Sequence, residues 1–233
     1  MEKFLTAEWR SLAMLNYRVD PAILAPLVPA GTELDTWDGA AYVSMVGFLF
    51  LRTRLFGVAV PGHEDFEEVN LRFYVRRATP EGWRRGVVFA KEIVPKPAVA
   101  WVARTFYNEN YVALPMRHWD DERCVEYEWQ TTRWNRLAVT PTGDPALPES
   151  GSIEEFITEH YWGYAPQPDG ATVEYHVEHP RWYVWKVTSG ELDCDAATVY
   201  GPSFEAALSG PPDSAFLAEG SPVTVYKGSR LEL

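Results

Sequence analysis

Short stretches in which apolar and polar residues alternate recur along most of the chain, and turns rich in Gly, Pro and Asp separate them. The clearest stretch spans residues 68–76. Its apolar members fall on one face of an extended strand, and its polar members fall on the other: Glu68, Asn70, Arg72, Tyr74 and Arg76. This alternation predicts a β-strand.

Similar patterns predict further strands, at residues 42–52, 87–94, 124–129, 134–139, 172–177, 182–187 and 223–227. Three neighbouring pairs are expected: 68–76 with 87–94, 124–129 with 134–139, and 172–177 with 182–187. Residues 140–151 contain three Pro and two Gly, which predicts a long surface loop.

Helix-start signals occur at a few places between the strands. Asp20 before Pro21 predicts a short helix to about residue 27. Pro97 opens a predicted helix through Phe106. A capping box at 152–155 predicts a helix to about residue 160, and a short helix is expected at 203–208.

These elements indicate a mainly β protein with a few helices, of the α+β class. A length of 233 residues fits one all-β unit, because β-barrels of this size are commonly a single domain. No internal repeat, heptad run or low-complexity tract divides the chain. We therefore expect residues 1–233 to form one domain.

Charge and composition exclude several classes of partner. The net charge is −12 and no run of Lys or Arg is present, so neither nucleic acid nor an anionic membrane surface is an expected partner. The longest apolar stretch, 40–51, is too short to span a bilayer, and the N-terminus lacks a signal peptide's pattern. Cys124 and Cys194 show no zinc-ligand spacing. We expect a cytoplasmic protein, and a homo-oligomer stays open.

The polar face of 68–76 has two interpretations. Alternation alone favours a solvated face with cross-strand ion pairs. In the second interpretation the row lines a cavity, where a buried Arg72 pairs with an anion such as a carboxylate, and Glu68 and Tyr74 accompany it.

A second polar segment follows the predicted 97–106 helix and contains Arg104, Tyr107, Asn108, Glu109 and Tyr111. It either ends the helix through an unusual backbone angle at an Asn or closes one end of a pocket.

Two histidines, His160 and His179, lie near a helix end and in a turn. A lone His in such a place is more often structural than catalytic. The spacing of the histidines indicates no metal site, and nucleophile-elbow, Walker and Rossmann patterns are absent, so no cofactor is expected.

Five segments in the same order carry a resemblance to a known family: 66–75, 85–89, 107–111, 159–164 and 178–180. Together they resemble the YqjF-like proteins, a domain of unknown function in the acetoacetate decarboxylase-like superfamily. The resemblance covers residues 9 to about 225. It implies a cone-shaped antiparallel β-barrel with a central cavity.

The decarboxylases of that superfamily use a lysine that forms a Schiff base with a keto acid. The stretch from Pro97 through Arg104 is similar to the one that leads to that lysine, but residues around Asn110 and Tyr111 stand in its place. Neither residue can form an imine. The resemblance also relates Glu68 to the decarboxylases' pocket acid and Arg104 to an arginine near the lysine. Lys91, on a neighbouring strand, is a weak substitute for the amine.

Three hypotheses follow. In the first, a barrel pocket binds a small organic acid through Arg72 or Arg104, with hydrogen bonds from Tyr107, Asn108 and Tyr111. In the second, the protein is an enzyme of the lyase, hydratase or isomerase type, in which Glu68 or Glu109 with His160 or His179 performs acid–base chemistry on a small oxo acid. In the third, the protein is a non-catalytic structural or assembly protein with a filled interior.

Overall fold

The computed structural model describes residues 1–121 and 123–232, and the side chain of Tyr107 lies outside the described part. Strands dominate, which confirms the mainly β prediction. The strands are β1 (Lys3–Val19), β2 (Glu33–Leu34), β3 (Ala41–Leu55), β4 (Val58–Ala59), β5 (Phe66–Thr79), β6 (Gly82–Val94), β7 (Tyr111–Ala113), β8 (Met116–Asp120), β9 (Val125–Gln130), β10 (Trp134–Ala146), β11 (Trp162–Pro166), β12 (Thr172–Glu178), β13 (Val184–Asp193), β14 (Ser214–Tyr226) and β15 (Ser229–Arg230). The helices are α1 (Pro21–Leu24), α2 (Pro97–Tyr107), α3 (Ile153–Thr158), α4 (Ala196–Tyr200) and α5 (Glu205–Leu208), with 3-10 turns at Ala25–Leu27 and Pro202–Phe204.

Seven of the strands form a closed ring in the order β12-β11-β6-β5-β3-β1-β14. The ring closes where β12 pairs with β14, through Val177 with Val225 and Glu178 with Thr224. Most neighbours are antiparallel, but β11 runs parallel to β6. A closed ring leaves no free edge inside the circuit. This arrangement is compatible with the expected barrel, apart from its parallel pair.

A second layer covers part of the ring. Strands β13, β10, β9 and β8 continue the sheet from β14 and fold back over the outer faces of β1, β3 and β5, together with α4 and α5. The apolar face of β5, including Leu71 and Phe73, packs into this outer core. The opposite face points into the ring, where Glu68 and Asn70 are each 2% exposed. The solvated-face interpretation is therefore wrong for residues 68–75, which are buried on both faces. Arg76 does fit it, since it is partly exposed and forms a cross-strand ion pair with Glu33 at 2.7 Å.

The helices begin at their predicted signals. The Asp20 carboxylate accepts a hydrogen bond from the Ala22 amide at 2.9 Å, and the Ser152 hydroxyl accepts one from the Glu155 amide at 3.2 Å. The Glu155 carboxylate accepts from the Gly151 amide and not from Ser152, so only half of the capping box forms. Among the described residues, no helix combines the length and apolar character needed to cross a lipid bilayer.

One long strand is absent from the predictions, and two predictions of local structure are wrong. Strand β1 was not predicted, because a bulge at Ser11, where φ is +54°, interrupts its alternation. The first half of the predicted 140–151 loop continues β10, which pairs with β13 as far as Ala146. Strands β12 and β13 do not pair with each other, since β12 joins β11 and β14 while β13 joins β10 and β14.

Close packing between β1 and β14 depends on Gly220. Its φ is +79°, and a Cβ placed there would lie 2.0 Å from the Trp9 carbonyl oxygen. A backbone atom cannot move aside as a flexible side chain can. Gly170 has a similar φ of +82° but open space around its Cβ position.

We expect Gly220→Ala to lower the free energy of unfolding well beyond the roughly 1–2 kcal/mol of left-handed strain alone. Gly170→Ala should lower the free energy of unfolding only by the cost of that strain. Chemical denaturation of both variants measures the difference, and equal losses would contradict the close-packing argument.

Candidate functional site

A cavity of about 220 Å³ occupies the interior of the strand ring, and α2 covers one end of it. Aromatic side chains form much of its wall: Trp9, Phe48, Phe50, Phe66, Phe89 and Trp182. Val60 lines the cavity and is 41% exposed, so the cavity meets solvent beside the segment that follows β4. An engineered apolar cavity of about 150 Å³ holds benzene, so this one suits a somewhat larger molecule.

One end of the cavity is built around Glu68 on β5. Its Oε1 accepts a hydrogen bond from Asn70 Nδ2 at 3.0 Å, and its Oε2 accepts one from the Tyr111 hydroxyl at 2.8 Å. Burial raises the pKa of Glu68 to about 7, although these two bonds and the charge of Arg72 oppose the shift. Burial thus favours the protonated form of this carboxyl group.

Two more buried carboxyl groups line the same end. Glu109, at the end of α2, accepts a hydrogen bond from the Tyr175 hydroxyl at 2.9 Å, and burial raises its pKa to about 8. The pKa of Glu92 on β6 is raised well above its ordinary value by burial and by the charges of Glu109 and Glu68. Glu68, Glu92 and Glu109 are named the acid cluster below.

A β-bulge decides that Glu92 rather than Lys91 faces the cavity. In the pairing of β5 with β6, Leu71 opposes Lys91 while Arg72 opposes Phe89, so Ala90 is an extra residue. The bulge reverses the alternation after Phe89. It places Glu92 inside the ring and turns Lys91 outward, where its ammonium donates to the Val199 carbonyl.

Arg72 lies on the same face of β5 as Glu68, four residues along the strand. Its side chain is buried and lines the cavity. Its hydrogen bonds are long, at 3.4 Å to the Tyr74 hydroxyl, 3.4 Å to the Ile157 carbonyl and 4.0 Å to the Met14 sulfur. Its guanidinium carbon also lies 5.7 Å from the centre of the Tyr74 ring. Among the described residues, no carboxylate lies within ion-pair distance of its guanidinium group.

His160 lines the cavity near Arg72, and Asp35, which lies outside the cavity wall, orients its ring. Its Nε2 lies 3.2 Å from Asp35 Oδ2, and Arg85 Nε donates to the same oxygen at 2.6 Å. Because a carboxylate only accepts, Nε2 carries the hydrogen and Nδ1 is left as an acceptor. Burial lowers the pKa of His160 to about 4, so the ring is neutral at pH 7. Its buried Nδ1 has no hydrogen-bond partner in the described part of the chain.

His179 also lines the cavity, but its contacts are mainly structural. Its ring stacks on Trp182 with centroids 4.2 Å apart, and Nδ1 lies 2.8 Å from the Pro180 carbonyl oxygen. Burial lowers the pKa of His179 to about 4. Tyr74 does not line the cavity, since its hydroxyl bonds to Ser44 at 2.6 Å behind the wall.

The second predicted segment divides between the cavity and the surface. Glu109 and Tyr111 line the cavity. Arg104 does not, because its side chain is exposed and its Nε donates to the Ala100 carbonyl at 3.2 Å within α2. Asn108 takes the left-handed conformation that ends α2, at φ 57°, and its amide donates to the Pro166 carbonyl. The Tyr107 side chain lies outside the described residues.

Several residues of the site were not singled out from the sequence. Glu92 is hidden by the bulge, which no alternation pattern signals. Tyr175 and Asp35 come from strand β12 and from the segment between β2 and β3, far along the chain from Glu109 and His160. Within residues 1–121 and 123–232, no cluster of His, Cys, Asp or Glu could hold a metal ion.

The raised pKa values predict how stability responds to pH. A carboxyl group whose pKa is about 8 in the folded state and 4.5 otherwise destabilises the fold as pH rises between these values. Glu109→Gln keeps an oxygen for Tyr175 and cannot ionise. We expect its melting temperature to fall less between pH 6 and pH 9 than that of the wild type. The difference should be about 2–4 °C for each kcal/mol of unfolding free energy that the wild type loses when Glu109 ionises.

Thermal melts at several pH values test this expectation, with Glu205→Gln, at an exposed position, as the control. Parallel pH profiles for the wild type and Glu109→Gln would show that the buried carboxyl does not titrate as described.

Comparison with known proteins identifies the relatives of this chain. Residues 6–222 match the family DUF2071, described as an uncharacterized conserved protein. The uncharacterized protein YqjF of Bacillus subtilis (strain 168) is 30% identical over 199 residues, which cover 82% of this chain and 78% of YqjF.

Solved structures with the same fold are more distant in sequence. Acetoacetate decarboxylase from Legionella pneumophila aligns with a TM-score of 0.70 at 14% identity, over 98% of this chain and 87% of its own. The enduracididine biosynthesis enzyme MppR, complexed with pyruvate, aligns with a TM-score of 0.71 at 14% identity, over 100% and 91%. These likenesses show a common fold, which confirms the acetoacetate decarboxylase-like architecture. On the family match and the identity to YqjF, the chain belongs to the DUF2071 family of YqjF-like proteins.

Proposed function

We propose that the cavity binds a small organic acid and that Arg72 pairs with its acid group. The observation that carries this proposal is the state of Arg72: the residue lines the cavity, is buried, and has no carboxylate partner among the described residues. A buried charge is stabilised mainly by a counter-ion with good hydrogen-bond geometry. A ligand carboxylate supplies that counter-ion and two acceptor oxygens for the planar fork.

The rest of the cavity suits the body of such a ligand. Trp9, Phe48 and Phe50 provide apolar and aromatic surface, while Thr158 and the Nδ1 of His160 provide polar contacts near Arg72. The pyruvate complex of MppR supports the proposal by analogy of fold, because that protein holds a small oxo acid. An open interior also differs from the filled one that a purely structural role predicts.

A Schiff-base mechanism finds no support in this chain. None of its five lysines is among the described residues that line the cavity. Lys91, the nearest candidate by sequence, faces outward and is bound to the Val199 carbonyl.

A second candidate function is acid–base catalysis on the bound acid. Glu68 and Glu109 line one cavity and have pKa values of about 7 and about 8. A general acid or base works best when its pKa is near the operating pH. With no amine to form an imine, the chemistry left to these groups is proton transfer, such as enolisation or hydration of an oxo acid.

The binding proposal predicts that small carboxylic, keto or hydroxy acids raise the melting temperature of the wild type by mass action. Arg72→Gln should weaken binding of the same acid at least tenfold, which is about 1.4 kcal/mol. Arg104→Gln should bind as the wild type does, because Arg104 lies outside the cavity wall. Equal affinity in the wild type and Arg72→Gln would refute the role of Arg72.

The catalytic candidate predicts that the wild type accelerates exchange of the C3 hydrogens of a 2-oxo acid with D2O. NMR follows this exchange directly, without knowledge of the natural substrate. Glu68→Gln should slow it roughly a hundredfold, the scale of a lost general base. Wild-type exchange at the buffer rate, with an acid demonstrably bound, would rule out enolisation and leave binding intact.

A further inference from the structure

When its three carboxyl groups are ionised, the acid cluster has more hydrogen-bond acceptors than donors. Asn70 and Tyr111 each donate one hydrogen bond to Glu68, and Tyr175 donates one to Glu109. Two buried acceptors have no partner in the described residues, Oε2 of Glu92 and Oδ1 of Asn70, and both side chains are 2% exposed. Unpaired buried polar atoms are rare in folded proteins, so this end of the cavity is shaped for a group that donates.

We propose that the ligand carries a protonated amino group, which binds the acid cluster while its acid group binds Arg72. The ligand class is thus an ω-amino acid with an apolar spacer. This inference rests on the proposed function for its acid end, and it adds the chemistry of the opposite end.

The geometry of β5 separates the two ends. Glu68 and Arg72 lie four residues apart on one face, which is roughly 13 Å along an extended strand. Asn70 stands between them and bonds to Glu68. Among the described residues the guanidinium forms no ion pair with Glu68, Glu92 or Glu109, although its charge acts on Glu68. A zwitterion with separated ends matches that distribution, whereas a simple acid satisfies only one end.

An ammonium group suits the acid cluster for physical reasons. It carries three donors, which can serve Glu92 Oε2, Asn70 Oδ1 and one more carboxylate oxygen. Bonds between charged partners are roughly twice as strong as neutral ones. A cation also opposes the burial and the mutual repulsion that raise the pKa values of Glu92 and Glu109.

The test compares three compounds with a common chain: 5-aminopentanoate, pentanoate and pentylamine. Isothermal titration calorimetry at pH 7 gives their affinities for the wild type. We expect 5-aminopentanoate to bind at least tenfold more tightly than pentanoate. Glu92→Gln should abolish that advantage and leave pentanoate binding unchanged, and Glu109→Gln provides a second variant should Glu92→Gln fold poorly.

Glu67→Gln is the matched control. Glu67 is the neighbour of Glu68 on β5, points to the other face, and contacts His118 at 2.7 Å, an interaction that Gln can keep. This variant should retain the full advantage of the amino acid.

The outcomes separate the two proposals. If pentanoate binds and 5-aminopentanoate binds no better, the amino-group inference is overturned and the organic-acid proposal stands. If pentylamine binds as tightly as 5-aminopentanoate and Arg72→Gln changes neither, the acid-end proposal fails while the amine site survives. If neither pentanoate nor 5-aminopentanoate binds, the zwitterion inference is overturned.

Discussion

Closure of the strand ring is the constraint on which the cavity depends. The hairpin of β11 and β12 joins the ring through two short seams. Strand β11 pairs with β6 and strand β12 pairs with β14, each through two residue pairs. At the β6 seam Gly86 lies opposite Trp162, and a Cβ there would lie 2.6 Å from the Trp162 carbonyl oxygen. Once these seams form, the inward faces of the strands enclose a common space. Closure of the ring therefore buries the polar side chains on those faces at the same time.

That enclosure sets up the electrostatics of the site. Glu68, Glu92 and Glu109 share one end of a space of low effective dielectric, where like charges repel strongly and burial favours the protonated forms. The charge of Arg72 opposes the shift at Glu68 only in part, and among the described residues its guanidinium forms no ion pair with any of the three. Separated polar groups without partners lower the stability of the folded protein, and a bound ligand that pairs with them raises it. Functional sites are often such places.

The bulge at Ala90 shows how a shared fold can hold different chemistry. Regular alternation from Val87 and Phe89 would send Lys91 into the cavity. One extra residue turns Lys91 outward and brings in Glu92, so the interior has three carboxyl groups and no amine among its described lining residues. Structures at 14% identity share the architecture of this chain, but residue register within a strand decides which functional group enters the cavity.

The sequence alone determined the mainly β class, most strand and helix positions, and the polar rows that contain Glu68, Asn70, Arg72, Glu109 and Tyr111. These features depend on local periodicity and capping, which act over a few residues. It could not decide whether the polar face of β5 meets water or a cavity, because that depends on ring closure by strands about 100 residues further along. Nor could it separate Glu109 and Tyr111 from the neighbouring Arg104 and Asn108, since the end of α2 sets their directions. Only the tertiary structure brought Asp35 to His160, Tyr175 to Glu109 and Glu92 into the cavity, because long-range pairing and a single bulge fix those positions.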